Sequence, residues 1–107
     1  MELRSLYITV ATLDEAQRIA DALVTERLAA CANILPGAHS IYRWQGKIVR
    51  DNEVVIIAKT RATLVDAAIA RVKALHSYQV PCVVALPILA GNPDYLQWLE
   101  AETDPLS

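Results

Sequence analysis

Val54-Val55-Ile56-Ile57-Ala58 is apolar at every position and β-branched at four of the five. Such side chains are stiff at χ1 and pack well on a pleated surface. A strand with one face in water alternates apolar and polar residues, whereas one covered on both faces reads as a continuous apolar run. This segment therefore predicts a strand buried on both sides. It ends a longer extended stretch running from Lys47 to Thr60, with a bend or bulge expected at Asp51-Asn52. Upstream lies Ser40-Ile41-Tyr42-Arg43-Trp44, and Gln45-Gly46 between the two stretches reads as a hairpin tip, because glycine accepts the positive φ of a tight turn. Before it, Cys31-Ala32-Asn33-Ile34-Leu35 is extended and Pro36-Gly37 bends the chain.

Outward from this hairpin, Leu6-Tyr7-Ile8-Thr9-Val10 reads as a first strand. Thr12 and Glu15 form a capping-box pattern, and Ala16, Ile19, Ala20, Leu23, Val24 and Leu28 follow at helical spacing, predicting a helix from Leu13 to Ala29. Thr63 and Asp66 offer caps for a second helix carrying Val65, Ala68, Ile69, Val72 and Leu75. Pro81 ends that region and Cys82-Val83-Val84-Ala85-Leu86 is a fourth strand. Asn92-Pro93 opens a short third helix to about Ala101. The order β-α-β-β-α-β with a short C-terminal helix is the split-βαβ, ferredoxin-like pattern of an α+β protein, here one domain over residues 1–107. Both main helices then cover one face of an antiparallel sheet. Strands three and four are apolar on both faces, so the second face is expected to lie against another subunit. Ile56, Val84 and Tyr42 are the expected interface residues.

The 107 residues suffice for one core and are 54 % hydrophobic, a high share for so small a body. A net charge of −2 removes the basic field that phosphate-backbone binding needs, which argues against a nucleic-acid partner. The N-terminus shows no signal-peptide pattern, and no run approaches the ~18 apolar residues of a membrane span. A cytoplasmic protein is expected, with Cys31 and Cys82 as reduced thiols.

Several stretches resemble the CutA, or divalent-ion tolerance, family: Leu28-Ala29-Ala30-Cys31-Ala32-Asn33-Ile34-Leu35-Pro36-Gly37, Ser40-Ile41-Tyr42-Arg43-Trp44-Gln45-Gly46-Lys47, Ala58-Lys59-Thr60, His76-Ser77-Tyr78-Gln79-Val80-Pro81 and Tyr95-Leu96-Gln97-Trp98-Leu99. The resemblance implies a ferredoxin-like protomer in a tight homotrimer and a role in tolerance to copper and other divalent cations. In enterobacterial-type members, it attributes copper binding to a cysteine ending strand one and to two consecutive histidines before Tyr-x-x-Pro. Here Val10 stands at the cysteine position and Leu75-His76 at the histidine pair. Cys82 replaces a residue that is often acidic in the family.

His76 is thus the one candidate metal ligand, and a helix-terminal histidine can equally cap the last carbonyls. Copper or another divalent cation is expected to bind weakly, and no cofactor is required. Trp44 shares a strand face with Tyr42. Lys59 and Glu53 point to one side of their strand, but six residues span about 20 Å, so each needs a partner elsewhere. With Trp44 and Tyr78 they are candidates to line an intersubunit pocket. Glycine-rich phosphate loops, Gly-x-Ser-x-Gly and His-Glu-x-x-His are all missing, so no enzyme is expected. The aliphatic third strand lacks the stacking aromatics of an RNA-recognition domain. The alternative to a metal-response protein is a small-molecule-binding signalling trimer that uses intersubunit clefts, resembling nitrogen-regulatory proteins.

Overall fold

The structure, a computed structural model, describes residues 2–104. Its elements are β1 (Leu3–Val10), α1 (Leu13–Thr25), β2 (Cys31–Trp44), β3 (Lys47–Arg61), a 3-10 turn (Ala62–Leu64), α2 (Val65–Leu75), β4 (Val83–Pro87) and α3 (Pro93–Glu102). The strands form one antiparallel sheet in the order β2-β3-β1-β4, the arrangement expected of a split βαβ unit.

Local chemistry sets the boundaries. The Glu15 N–H donates to Thr12 Oγ1 at 3.2 Å, and Glu15 Oε1 in turn accepts from the N–H of Ala11, one residue before the cap, at 3.3 Å, so a shifted form of the capping box opens α1. The helix stops at Thr25 rather than Ala29. Arg27 adopts φ 60°, and the Leu28 N–H reaches back to the Leu23 carbonyl at 2.9 Å, a Schellman-type reversal. Leu28 and Ala29 are thereby returned to the core, so the apolar spacing continues past the helix end. No side chain caps α2, which continues from the 3-10 turn with Asp66 in its first turn.

Register decides which residues face the helices. Val10 lies opposite Val54, Ile8 opposite Ile56 and Leu6 opposite Ala58, and directly opposed residues share a face. These six join Ala16, Ile19, Leu23, Ala68 and Val72 in one buried cluster beneath α1 and α2. Ile56 is fully buried there. The expected interface position at Ile56 is therefore corrected: it belongs to the protomer's own core, because its partner Ile8 faces the helices. The alternate residues, among them Tyr7, Ile57, Val84 and Leu86, occupy the helix-free face, with Val84 50 % exposed. α3 reaches only one end of this face, where Tyr95 meets Cys31 and Lys59.

β1 pairs with β3 only from Val54 to Arg61, so the remainder of β3 pairs with β2 alone. The result is a two-stranded arm on a molecule 44 Å long. Gln45 (φ 49°) and Gly46 (φ 79°) form its tip, both positive as a type I′ turn requires. Asp51 and Asn52 pair in regular register with Ser40 and His39, contrary to the expected bend there. The irregularity sits across the ladder at Pro36-Gly37, where Gly37 takes φ 88° and one extra residue enters β2.

Candidate functional site

Three of the four pocket candidates border one cavity along the arm, Glu53 and Tyr78 at its root and Trp44 next to its tip. Trp44, Glu53 and Tyr78 border a cavity of about 580 Å³, with Tyr42, Thr9 and Cys82 also in its walls. β3 places Glu53 one residue before the core strand begins, and the segment between α2 and β4 brings Tyr78 across to it. The Tyr78 hydroxyl donates to Glu53 Oε2 at 2.7 Å. Burial, then the Glu53 carboxylate, raises the Tyr78 hydroxyl well above the ordinary tyrosine value. The Tyr42 hydroxyl donates to Asp51 Oδ2 at 2.7 Å, and that bond raises it too. Among the described residues, Glu53 is the only charged one in the cavity wall, which holds no Lys, Arg or His of this protomer.

Lys59 does not join them. It sits at the other end of the helix-free face, opposite Cys31 and Ser5, with its Nζ 5.7 Å from the Tyr95 ring centroid. Its partner is thus an aromatic face of its own chain, a cation–π contact rather than a carboxylate. The Tyr95 hydroxyl and Cys31 Sγ are 3.3 Å apart; this hydrogen bond, helped by burial, pushes Tyr95 up to about 12.

The His76 side chain is fully buried and both its ring nitrogens are engaged. Nε2 lies 2.7 Å from the Thr9 carbonyl and Nδ1 lies 3.0 Å from the Tyr78 N–H. A carbonyl needs a donor and an N–H needs an acceptor, so the partners assign the neutral tautomer protonated at Nε2. Neither nitrogen is left for a metal, which corrects the expected ligand role. The reason also differs from helix capping: His76 ties the end of β1 to the segment after α2. Its ring packs on Tyr78 with centroids 4.7 Å apart.

Glu15 completes the tie. Its Oε2 accepts from the Ser77 N–H at 2.7 Å and its Oε1 from the Ser77 hydroxyl at 3.0 Å. Burial pushes the carboxyl up, but the Ser77 and Ala11 donors outweigh it and hold Glu15 below its ordinary value. Sequence reasoning found Glu15 only as a helix cap. Its second task, holding Ser77 from 62 positions away, leaves no local signal. Among the described residues no three His, Cys, Asp or Glu side chains are grouped to hold a metal ion.

Residues 5–102 match the CutA1 divalent ion tolerance protein family. The divalent-cation tolerance protein CutA of Thermus thermophilus is 54 % identical over 98 residues, covering 92 % of this chain and 95 % of that protein. Chloroplastic CutA 1 of Oryza sativa is 48 % identical over 92 % of this chain, which spans only 55 % of the rice protein. Among solved structures, CutA of Xylella fastidiosa superposes with a TM-score of 0.94 at 44 % identity, covering 97 % of this chain and 100 % of that one. With matching sequence, strand order and elements along almost its whole length, the chain belongs to the CutA divalent-ion tolerance family.

Proposed function

We propose that this chain acts as a non-catalytic homotrimer in the response to divalent cations, copper included, in the cytoplasm. Family membership supports the divalent-ion role. One observation carries the assembly: the two-stranded arm projects beyond the sheet with Ile41, Tyr42, Trp44 and Ile48 exposed. A lone hairpin is marginal in water, and the half-exposed Val84 and Leu86 of the helix-free face need the same kind of cover. Copies that lay arms against neighbouring sheets satisfy both. The cytoplasmic assignment is supported by the free thiols of Cys31 and Cys82, and no described helix is long and apolar enough to cross a membrane.

The copper site of enterobacterial-type members does not fit these residues. Val10 is buried and aliphatic, Leu75 donates nothing, and His76 is spent on the backbone. The response to copper therefore runs through weak binding elsewhere or through no direct site. Native mass spectrometry at micromolar protein, with and without copper and zinc, is expected to find trimers and no tight one-per-chain copper, with no change in His76→Ala. A stable monomer would overturn the assembly. Stoichiometric copper lost in the variant would overturn the metal reading.

The cavity favours a second reading, a small-molecule-binding signalling trimer resembling nitrogen-regulatory proteins. An anion or nucleotide would lack a counter-charge in its walls.

A further inference from the structure

We infer that α3 is a strap that folds as it docks: Arg27 and Arg61, from two other elements, clamp its carboxyl end, and without that clamp the helix lifts off the body and unwinds as one unit. Every contact involved lies within one protomer and owes nothing to surfaces that neighbouring copies cover.

Ten residues are too few for a helix to persist alone in water. Along α3 only Leu99 is buried, and no α3 residue joins the core cluster beneath α1 and α2. Its last turn also opposes its own dipole, since it carries Glu100 and Glu102 and no basic residue where positive charge is favoured. The missing charge comes from elsewhere. Arg61, ending β3, donates Nε to Thr103 Oγ1 at 3.1 Å and Nη2 to the Glu100 carbonyl. Arg27 donates Nη2 to the carbonyls of Ala101 and Asp104 at 3.4 and 3.2 Å. The buried Thr103 hydroxyl donates in turn to the Leu99 carbonyl at 2.9 Å. The consecutive carbonyls of Leu99, Glu100 and Ala101 thus all receive side-chain donors, at the end where a helix leaves its carbonyls open. Both guanidiniums belong to the body, so lifting α3 strips its caps and capping it requires docking.

Arg27 shows what the clamp costs. Its φ of 60° is a conformation in which glycine is at ease and a side chain is not. Arginine at this reversal gives up backbone comfort and gains a reach to α3, 74 positions along the chain. At the other end of the strap, residues 88–92 form neither helix nor strand. When α3 is seated, Tyr95 lies against Cys31 and Lys59, so its release frees that end of the helix-free face.

Hydrogen–deuterium exchange on the intact, assembled protein tests this, comparing peptides over 93–104 with those of β1 and β3. Arg27→Gly relieves the backbone and removes one arm of the clamp; it is expected to speed α3 exchange at least about tenfold and to leave β1 and β3 unchanged. Arg27→Lys keeps the charge without the planar fork and should fall between variant and parent. Thr103→Val, close in volume, removes the acceptor of Arg61 Nε and should also speed α3 alone. If Arg27 serves only the end of α1, Arg27→Gly leaves α3 untouched, which would overturn the clamp. Equal acceleration in α3 and the body strands would overturn its separate release. Faster α3 exchange on dilution of the parent, unmoved by the variants, would assign the hold to neighbouring copies and sink the inference.

Discussion

The body of the sheet and the arm are made of the same two strands, yet they are held by different means. From Val54 to Ala58, β3 has strands on both sides and helices over one face, and its core residues meet partners within their own protomer. From Lys47 to Glu53 the same strand has one neighbour and no helix. The body is stabilised by burial that the protomer achieves alone; the arm has its ladder, the Tyr78–Glu53 hydrogen bond at its root and whatever packs on it from outside. A continuous strand can thus carry both the most and the least self-sufficient parts of a fold.

That contrast breaks most sharply at paired aspartate substitutions. Ile56→Asp places an unpaired charge under α1 and α2 and is expected to cost about 3–5 kcal/mol, leaving little folded protein. Val84→Asp, on the helix-free face, is expected to keep the protomer's helical circular dichroism while sedimentation shows smaller species. Equal loss of fold in both would mean that the two faces are not distinct in kind.

The body can be weakened more gently through Glu15. Glu15→Ala strands the Ser77 N–H and hydroxyl and is expected to cost about 2–3 kcal/mol by urea unfolding. Its pH dependence has a definite sign. Because the folded state holds Glu15 below its ordinary 4.5, the contribution is fully present above that value and is lost as pH falls through the lower folded value. The urea midpoint of the parent should therefore fall more steeply than that of Glu15→Gln once pH drops below 4.5. Parallel curves would remove Glu15 from the account.

The smallest effect is expected where body and arm join. Gly37→Ala puts a Cβ on a residue at φ 88° with no atom within 4 Å to obstruct it, so the cost is conformational alone, roughly 1–2 kcal/mol. If the arm serves association, the trimer should loosen more than the protomer unfolds, as measured by concentration-dependent melting.

Element order was legible because period and punctuation agree: Thr12 with Glu15, Gln45-Gly46 and Asn92-Pro93 each mark a boundary by local chemistry. The end of α1 was not, since Leu28 and Ala29 are apolar for the core whether the chain reaches it as helix or as a reversal. Ile56 and Val84 look alike in an unbroken apolar run; only strand order separates them. Of the residues expected to line an intersubunit pocket, Trp44, Glu53 and Tyr78 border one cavity of the protomer, but Lys59 was grouped with Glu53 on parity alone, and its partner Tyr95 lies 36 positions away in α3. His76 showed a ligand's side chain while its carbonyl and N–H partners stayed invisible in a string of letters.

The extra residue at Pro36-Gly37 works as a phase shift. Before it, odd-numbered residues of β2 lie on the helix-free side, opposite Lys59, Ile57 and Val55; after it, even-numbered ones do, opposite Glu53, Asp51, Val49 and Lys47. Tyr42 and Trp44 thus share a side with Glu53 only because one residue was inserted. Removing it would send both rings to the opposite face without altering their chemistry, whereas trimming one residue from each strand near the tip would leave the remaining faces in place. Length in this arm is therefore quantised: it can change by cross-strand pairs, and a single deletion at its root rewrites what every residue beyond it can touch.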